Sequence, residues 1–179
     1  VLVSMAAGLT MATIREMAGV DCPIIRINPN TPSAVGKGLV MVCADGIDND
    51  DPRMVAFRAA MAGAGLLDDV EERLMDAGSA VAGCGPAFAA LMLEALADGG
   101  VACGLPRAKA QMYAAQMMLG TAALALETGR HPGQLKDAVC SPGGTTIQGV
   151  RALERGGFRS AAFEAVIAAY EATLALAKK

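Results

Sequence analysis

The chain has 179 residues, enough for one ordinary domain or a domain and a fragment, so a hydrophobic core can form without disulfides or metal. Hydrophobic residues make up 54% and charged residues 18%, the reverse of a disordered chain. The net charge of -3, with no basic run, leaves no electrostatic footprint for nucleic acid or an anionic membrane, and neither partner is expected.

Aromatic residues are 3%, Trp is absent and Met reaches 11. Small side chains let helices approach closely and Met fills irregular gaps, so the composition predicts tightly packed, oligomer-forming helices. The longest uncharged runs, 77–93 and 110–126, fall short of the roughly 20 apolar residues of a membrane span. They also contain Pro86, Gln111 and Gln116, and they read as buried core helices of a soluble protein. Cys22, Cys43, Cys84, Cys103 and Cys140 show no C-x-x-C spacing, a pattern that fits reduced thiols and a cytoplasmic location. His131 is the sole histidine, which argues against an ordinary zinc site, and no metal is expected. The sequence opens without Met on an apolar run, Val1-Leu2-Val3-Ser4-Met5, as expected of a truncated protein.

In chain order, residues 1–5 read as a strand, 6–8 as a small-residue turn and 10–18 as a helix capped by Thr10. Residues 23–27 form a second strand ended by Asn28-Pro29-Asn30-Thr31-Pro32. A third strand follows at 39–44, a helix at 51–62 with Pro52 in its first turn, and a last strand at 66–70. Alternating strands and helices predict a mostly parallel sheet. Strand signals then stop. A helix at 72–80 leads into Gly83-Cys84-Gly85-Pro86, which is expected to bend the chain before a helix at 87–101. Further helices are expected at 106–128, 134–139 and 160–177. The change in pattern divides the chain into an α/β unit over 1–71 and an all-helical unit over 72–179.

Ser141-Pro142-Gly143-Gly144-Thr145-Thr146 is the most informative segment. Thr145-x-x-Gln148 has the form of a capping box, so a helix should start after the glycine pair. The amides of Gly144, Thr145 and Thr146 would then face outward at the positive end of a helix dipole, suited to a carboxylate or phosphate. An ordinary Pro-Gly turn explains the same spacing. Gly83-x-Gly85-Pro86-Ala87-Phe88 imitates a dinucleotide fingerprint but fails it, because Phe88 holds the sixth position and a helix precedes it. Asn30-Thr31-Pro32, at a strand end, either faces a ligand crevice or is a plain turn. The acids Asp68, Asp69, Glu71 and Glu72 read as a solvated connector, and His131 as a surface or interface residue.

The blocks Gly83-Cys84-Gly85-Pro86-Ala87-Phe88, Glu94-Ala95-Leu96-Ala97-Asp98-Gly99-Gly100-Val101, Gly104-Leu105-Pro106-Arg107, His131-Pro132-Gly133-Gln134-Leu135-Lys136-Asp137 and Ser141–Ile147, in this order, resemble pyrroline-5-carboxylate reductase. Ser4-Met5-Ala6-Ala7-Gly8 and Asn28–Pro32 extend the resemblance over essentially the whole chain. It departs where relatives place Ser at Cys84 and, in some, a polar residue at Ala138. It departs also in having no Gly-rich strand turn for the cofactor pyrophosphate, so the chain by itself is expected to bind NAD(P)H weakly.

The resemblance implies part of a Rossmann-type nucleotide-binding domain over 1–71 and a helical dimerisation and substrate-binding domain over 72–179. It implies NADP or NAD as cofactor and reduction of L-1-pyrroline-5-carboxylate to L-proline. Ala6, Ala7, Asn30, Thr31, Pro32 and Pro86 would meet the cofactor. Gly143, Gly144, Thr145 and Thr146 would seat the substrate carboxylate, with the Thr146 hydroxyl as the catalytic group at the ring nitrogen. A homodimer and a ring of dimers are implied as the assembly. Two alternatives stay open: a non-catalytic helical oligomerisation module, and another two-domain NADP-dependent reductase.

Overall fold

A computed structural model describes residues 1–176. By compactness the chain divides into a unit built from Val1–Pro86 with the segment from Glu164 onward, and a unit of Ala87–Phe163.

The first unit is organised on a four-stranded sheet in the order β1 (Leu2–Ser4), β2 (Ile24–Pro29), β3 (Gly38–Asp45) and β4 (Gly65–Asp69). β1 and β2 run parallel, as do β3 and β4, but β2 and β3 are antiparallel, so the sheet is mixed rather than mostly parallel. The cause is the connection: only residues 30–37, with a 3₁₀ turn at Thr31–Val35, join β2 to β3. Parallel neighbours need a crossover of about a dozen residues or more.

Both faces of the sheet are covered. Side chains alternate along each strand, so Ile24, Met41 and Cys43 face one side with Met11 and Ile14 of α1 (Met11–Ala18) and Met75. Ile25, Ile27, Val40 and Val42 face the other, against Met54 of α2 (Pro52–Met61). Local signals place both helices. The Thr10 hydroxyl accepts from the Thr13 amide, Gly19 ends α1 with φ 62°, and the Asp51 carboxylate accepts from the Arg53 amide with Pro52 in the first turn. Arg53 holds the Asp51 carboxyl down at about 2.

From Glu72 to Ala102 the chain is helical throughout. A 3₁₀ turn at Glu72–Leu74 leads into α3 (Met75–Gly78), a π-helical turn at Ser79–Gly83 and α4 (Gly85–Ala102). The bend expected at residues 83–86 is thus absorbed as one wide turn without breaking the helix. Gly78 permits the close approach of α3 to β3, since a Cβ there would stand 2.3 Å from the Met41 sulfur.

In the second unit, α4 continues through Ala102, followed by α5 (Arg107–Thr128), α6 (Pro132–Ala138), α7 (Thr145–Arg155) and the start of α8 (Phe158–Leu176). The expected last residue of α8, Ala177, lies outside the described residues. Gly100 stands against Ala110, where a Cβ would meet the Ala110 methyl at 3.2 Å, and Ala97, Ala110 and Ala114 form a small core with Leu93 and Val101. The expectation that the 77–93 and 110–126 runs are buried core helices is not met within the chain: Leu91, Met112, Met117, Leu119 and Leu124 are exposed. Continuity through the π turn also makes the 72–102 helix long and apolar enough, by length and composition, to cross a membrane.

Candidate functional site

The parallel pairing of β1 with β2 brings the loop at Ala6-Ala7-Gly8 and the turn at Asn30-Thr31-Pro32 to the same end of the sheet, the carboxyl ends of both strands. Ligands of open α/β sheets bind at such ends. Gly8 adopts φ 74° and is buried, while Ala6 and Ala7 are exposed and carry no bulk that would keep a flat ligand away. Beneath the loop lies a cleft of about 70 Å³ bordered by Arg26, Asn28, Asp76, Ser79 and Thr173. A space of that order is too small to enclose a dinucleotide.

Arg26 controls the polarity of this cleft. It is buried to 5% exposure on the strand face that also carries Ile24, and its guanidinium donates to Glu72 (3.3 Å) and Asp76 (3.0 Å). Glu72 also accepts from the Met11 amide at 2.6 Å, so one carboxylate ties β2, the start of α1 and the 72–102 helix together. The acids expected to form a solvated connector therefore divide. Glu72 is structural, while Asp69 and Glu71 make exposed pairs with Arg58 and Arg73.

Asn30 uses its side chain within the fold. Its Nδ2 donates to the Ala82 carbonyl at 3.0 Å and its Oδ1 accepts from the Leu39 amide at 2.9 Å. The Asn30 turn is thereby joined to the π turn, which is followed by Pro86 in the first turn of α4. Thr31 is exposed and Pro32 half-buried.

Gly143, Gly144, Thr145 and Thr146 lie in the helical unit at the start of α7. Gly143 takes φ 68°, and the Gly144 amide donates to the Ser141 carbonyl at 3.0 Å, closing the turn. A Cβ on Gly144 would stand 2.3 Å from the Ser141 hydroxyl, so a larger residue there would require that side chain to move. The capping box is corrected by the structure. Gly144 is the N-cap, Thr145 is the first helical residue, and no side chain caps the helix. The amides of the first turn are consequently left without a side-chain acceptor, beside the exposed Thr145 and Thr146. These are the donors an anion needs at a helix N-terminus.

His131 caps α6, its Nδ1 accepting from the Gly133 amide at 3.0 Å. All five thiols are free, and burial, reinforced by nearby Glu72, pushes the Cys43 thiol above its ordinary value. Among the described residues no group of His, Cys, Asp and Glu could hold a metal. Sequence reasoning missed Arg26, Asp76 and Ser79. The signal for Arg26 was present as a lone charge inside the apolar strand Ile24-Ile25-Arg26-Ile27, where only a paired ion is tolerated.

A layered α/β sheet with a bulk-free loop at its strand ends, in one chain with long apolar helices and a helix start that follows a glycine pair, defines a two-part protein. Residues 72–176 match the family described as pyrroline-5-carboxylate reductase dimerisation. A pyrroline-5-carboxylate reductase of Synechocystis is 49% identical over 178 residues, which cover 99% of this chain and 66% of that protein. One from Arabidopsis thaliana is 48% identical over 170 residues, 94% of this chain and 60% of the relative. The crystal structure of Plasmodium falciparum pyrroline carboxylate reductase with NADP bound superposes with a TM-score of 0.90 at 32% identity, covering 99% of this chain and 67% of that one. The chain belongs to the pyrroline-5-carboxylate reductase family. It spans 60–66% of the length of the two curated relatives.

Proposed function

We propose that this chain serves an NAD(P)H-dependent reduction of L-1-pyrroline-5-carboxylate to L-proline, the last step of proline biosynthesis. The observation that carries the reading is the α7 N-terminus, where Gly144 caps without a side chain and leaves the first-turn amides to an incoming carboxylate. Gly143 and Gly144 keep the approach open, and Thr145 and Thr146 supply the amides. The Thr146 hydroxyl oxygen accepts from the protonated ring nitrogen and orients the imine carbon. A protonated imine is already electrophilic, so this arrangement calls for positioning rather than a strong acid or a metal.

The bulk-free Ala6-Ala7 loop fits a flat ring laid across the strand ends, and Asn30, Thr31, Pro32 and Pro86 complete that surface. NADP or NAD, when bound there, supplies the hydride. In this reading residues 1–71 belong to the dinucleotide-binding domain and 72–179 form the helical dimerisation and substrate-binding domain. The exposed apolar residues of α4 and α5 are covered by a second copy, giving a homodimer and a ring of dimers in the cytoplasm. A bilayer is the poorer cover, because Glu94, Asp98 and Arg107 border the groove between these helices. Neither nucleic acid nor membrane is a partner in this reading.

The test follows loss of nicotinamide absorbance on adding pyrroline-5-carboxylate to the full-length protein with NADPH. Thr146→Val should lower turnover about ten- to a hundredfold, the loss of one charge-assisted hydrogen bond, with folding intact. Absence of substrate-dependent oxidation would reject the reading, and unchanged kinetics in the variant would remove Thr146 from the site.

A further inference from the structure

The 79–86 segment combines two features that ordinarily cost a helix stability: a π turn and a proline. In a regular helix the amide of residue 86 would donate to the carbonyl of residue 82, and Pro86 has no amide to give. The Ala82 carbonyl instead accepts from Asn30 Nδ2, at 3.0 Å. The other end of the same amide group accepts from the Leu39 amide in β3, at 2.9 Å. Both contacts span different elements, so one planar group sets the Ala82 carbonyl against the β2–β3 connection. Gly83 follows Ala82 within the π turn, and space there is limited: a Cβ on Gly83 would meet Ser79 Oγ at 3.1 Å and Asn28 Oδ1 at 3.6 Å.

We propose that Asn30 is a positioning residue, whose side chain stands in for the amide that Pro86 lacks and so fixes the Pro86 backbone relative to the strand ends. This refines the reductase reading and rests on it for its kinetic consequence. With both polar ends of its side chain engaged, Asn30 acts on cofactor binding by placing the π turn and Pro86, not through its own amide.

The experiment pairs Asn30→Leu with Pro86→Ala, which restores an amide at position 86. In amide hydrogen exchange on the chain, Asn30→Leu should speed exchange at Leu39 and at residues 83–87 by about tenfold, the weight of one hydrogen bond. Adding Pro86→Ala should return protection at 83–87 but not at Leu39, whose acceptor is gone. Exchange at 83–87 that Asn30→Leu leaves unchanged, or that Pro86→Ala fails to restore, would overturn the proposal. In the full-length protein Asn30→Leu should raise KM for NADPH about tenfold while KM for the imine stays within about twofold. Equal changes in both constants, or none, would overturn the positioning role. A wild-type protein without reductase activity but with the expected exchange pattern would reject the reductase reading and leave the Asn30 clamp standing.

Discussion

In the sheet unit, Ile24, Ile25, Val40, Val42, Met54 and Met75 are each at most 1% exposed. In the helical unit the buried apolar side chains, among the described residues, are Ala97, Ala110 and Ala114, while Leu91 stands 68% exposed and Met112, Met117, Leu119 and Leu124 are also open. A sheet covered on both faces finds its core within one chain. Long apolar helices joined by short turns bury only the narrow stripe where small residues let them touch. The difference teaches that hydrophobic composition does not by itself identify a core, because the same share of apolar residues can be an interface.

The comparison can be broken most forcefully inside the sheet unit. Ile25→Ala removes three carbons of branched packing to leave a void under α2, and it should lower unfolding free energy by about 2–5 kcal/mol in denaturant titration. A loss below about 1 kcal/mol would mean the sheet core is not as closed as described. In the helical unit the corresponding effect belongs to association. Leu119→Glu places a charge on a face open in the single chain, so it should leave secondary structure intact while weakening self-association about a hundredfold or more, as burial of an unpaired charge implies. Met17→Glu, at an equally open position of the sheet unit, should change neither, as circular dichroism and sizing will report. Similar behaviour at both positions would erase the distinction.

Elements fixed by neighbouring residues were legible in the sequence. Thr10, Asp51 with Pro52, and Gly129 each mark a helix end through a contact a few residues away, and the helices begin or end where expected. What depends on distant partners was not. The direction of β3 follows from how few residues connect it to β2, which strand patterns alone do not weigh. The bend expected from Gly83 and Pro86 is absorbed in the π turn, whose Ala82 carbonyl accepts from Asn30, 52 positions away. Arg26 finds its carboxylates 46 and 50 positions away. At the α7 start, Thr145 has capping-box spacing, yet the turn closed by the Gly144 amide makes Gly144 the cap. That one-residue shift strengthens the candidate anion site, since a capping Thr side chain would have occupied one of its donors.

The smallest expected effect lies at the edge of the sheet unit. Arg53, through its amide and guanidinium, holds the Asp51 carboxyl down from 3.8 to about 2. A depressed carboxyl contributes stability that is present above its ordinary value and lost as pH falls through about 2. The N-terminus of α2 should therefore stay ordered at pH 3 and loosen below it, an effect followed by the Arg53 amide resonance. A midpoint at the ordinary carboxylate value would remove the cap.

The central claim is that the helical unit is completed by a second copy of itself. Sedimentation equilibrium at micromolar concentration, with Leu119→Glu run alongside, tests it most directly. The account predicts a dimer or a larger even assembly that Leu119→Glu reduces to monomer without loss of helix content. A wild-type chain that sediments as a folded monomer at the same concentration would contradict it.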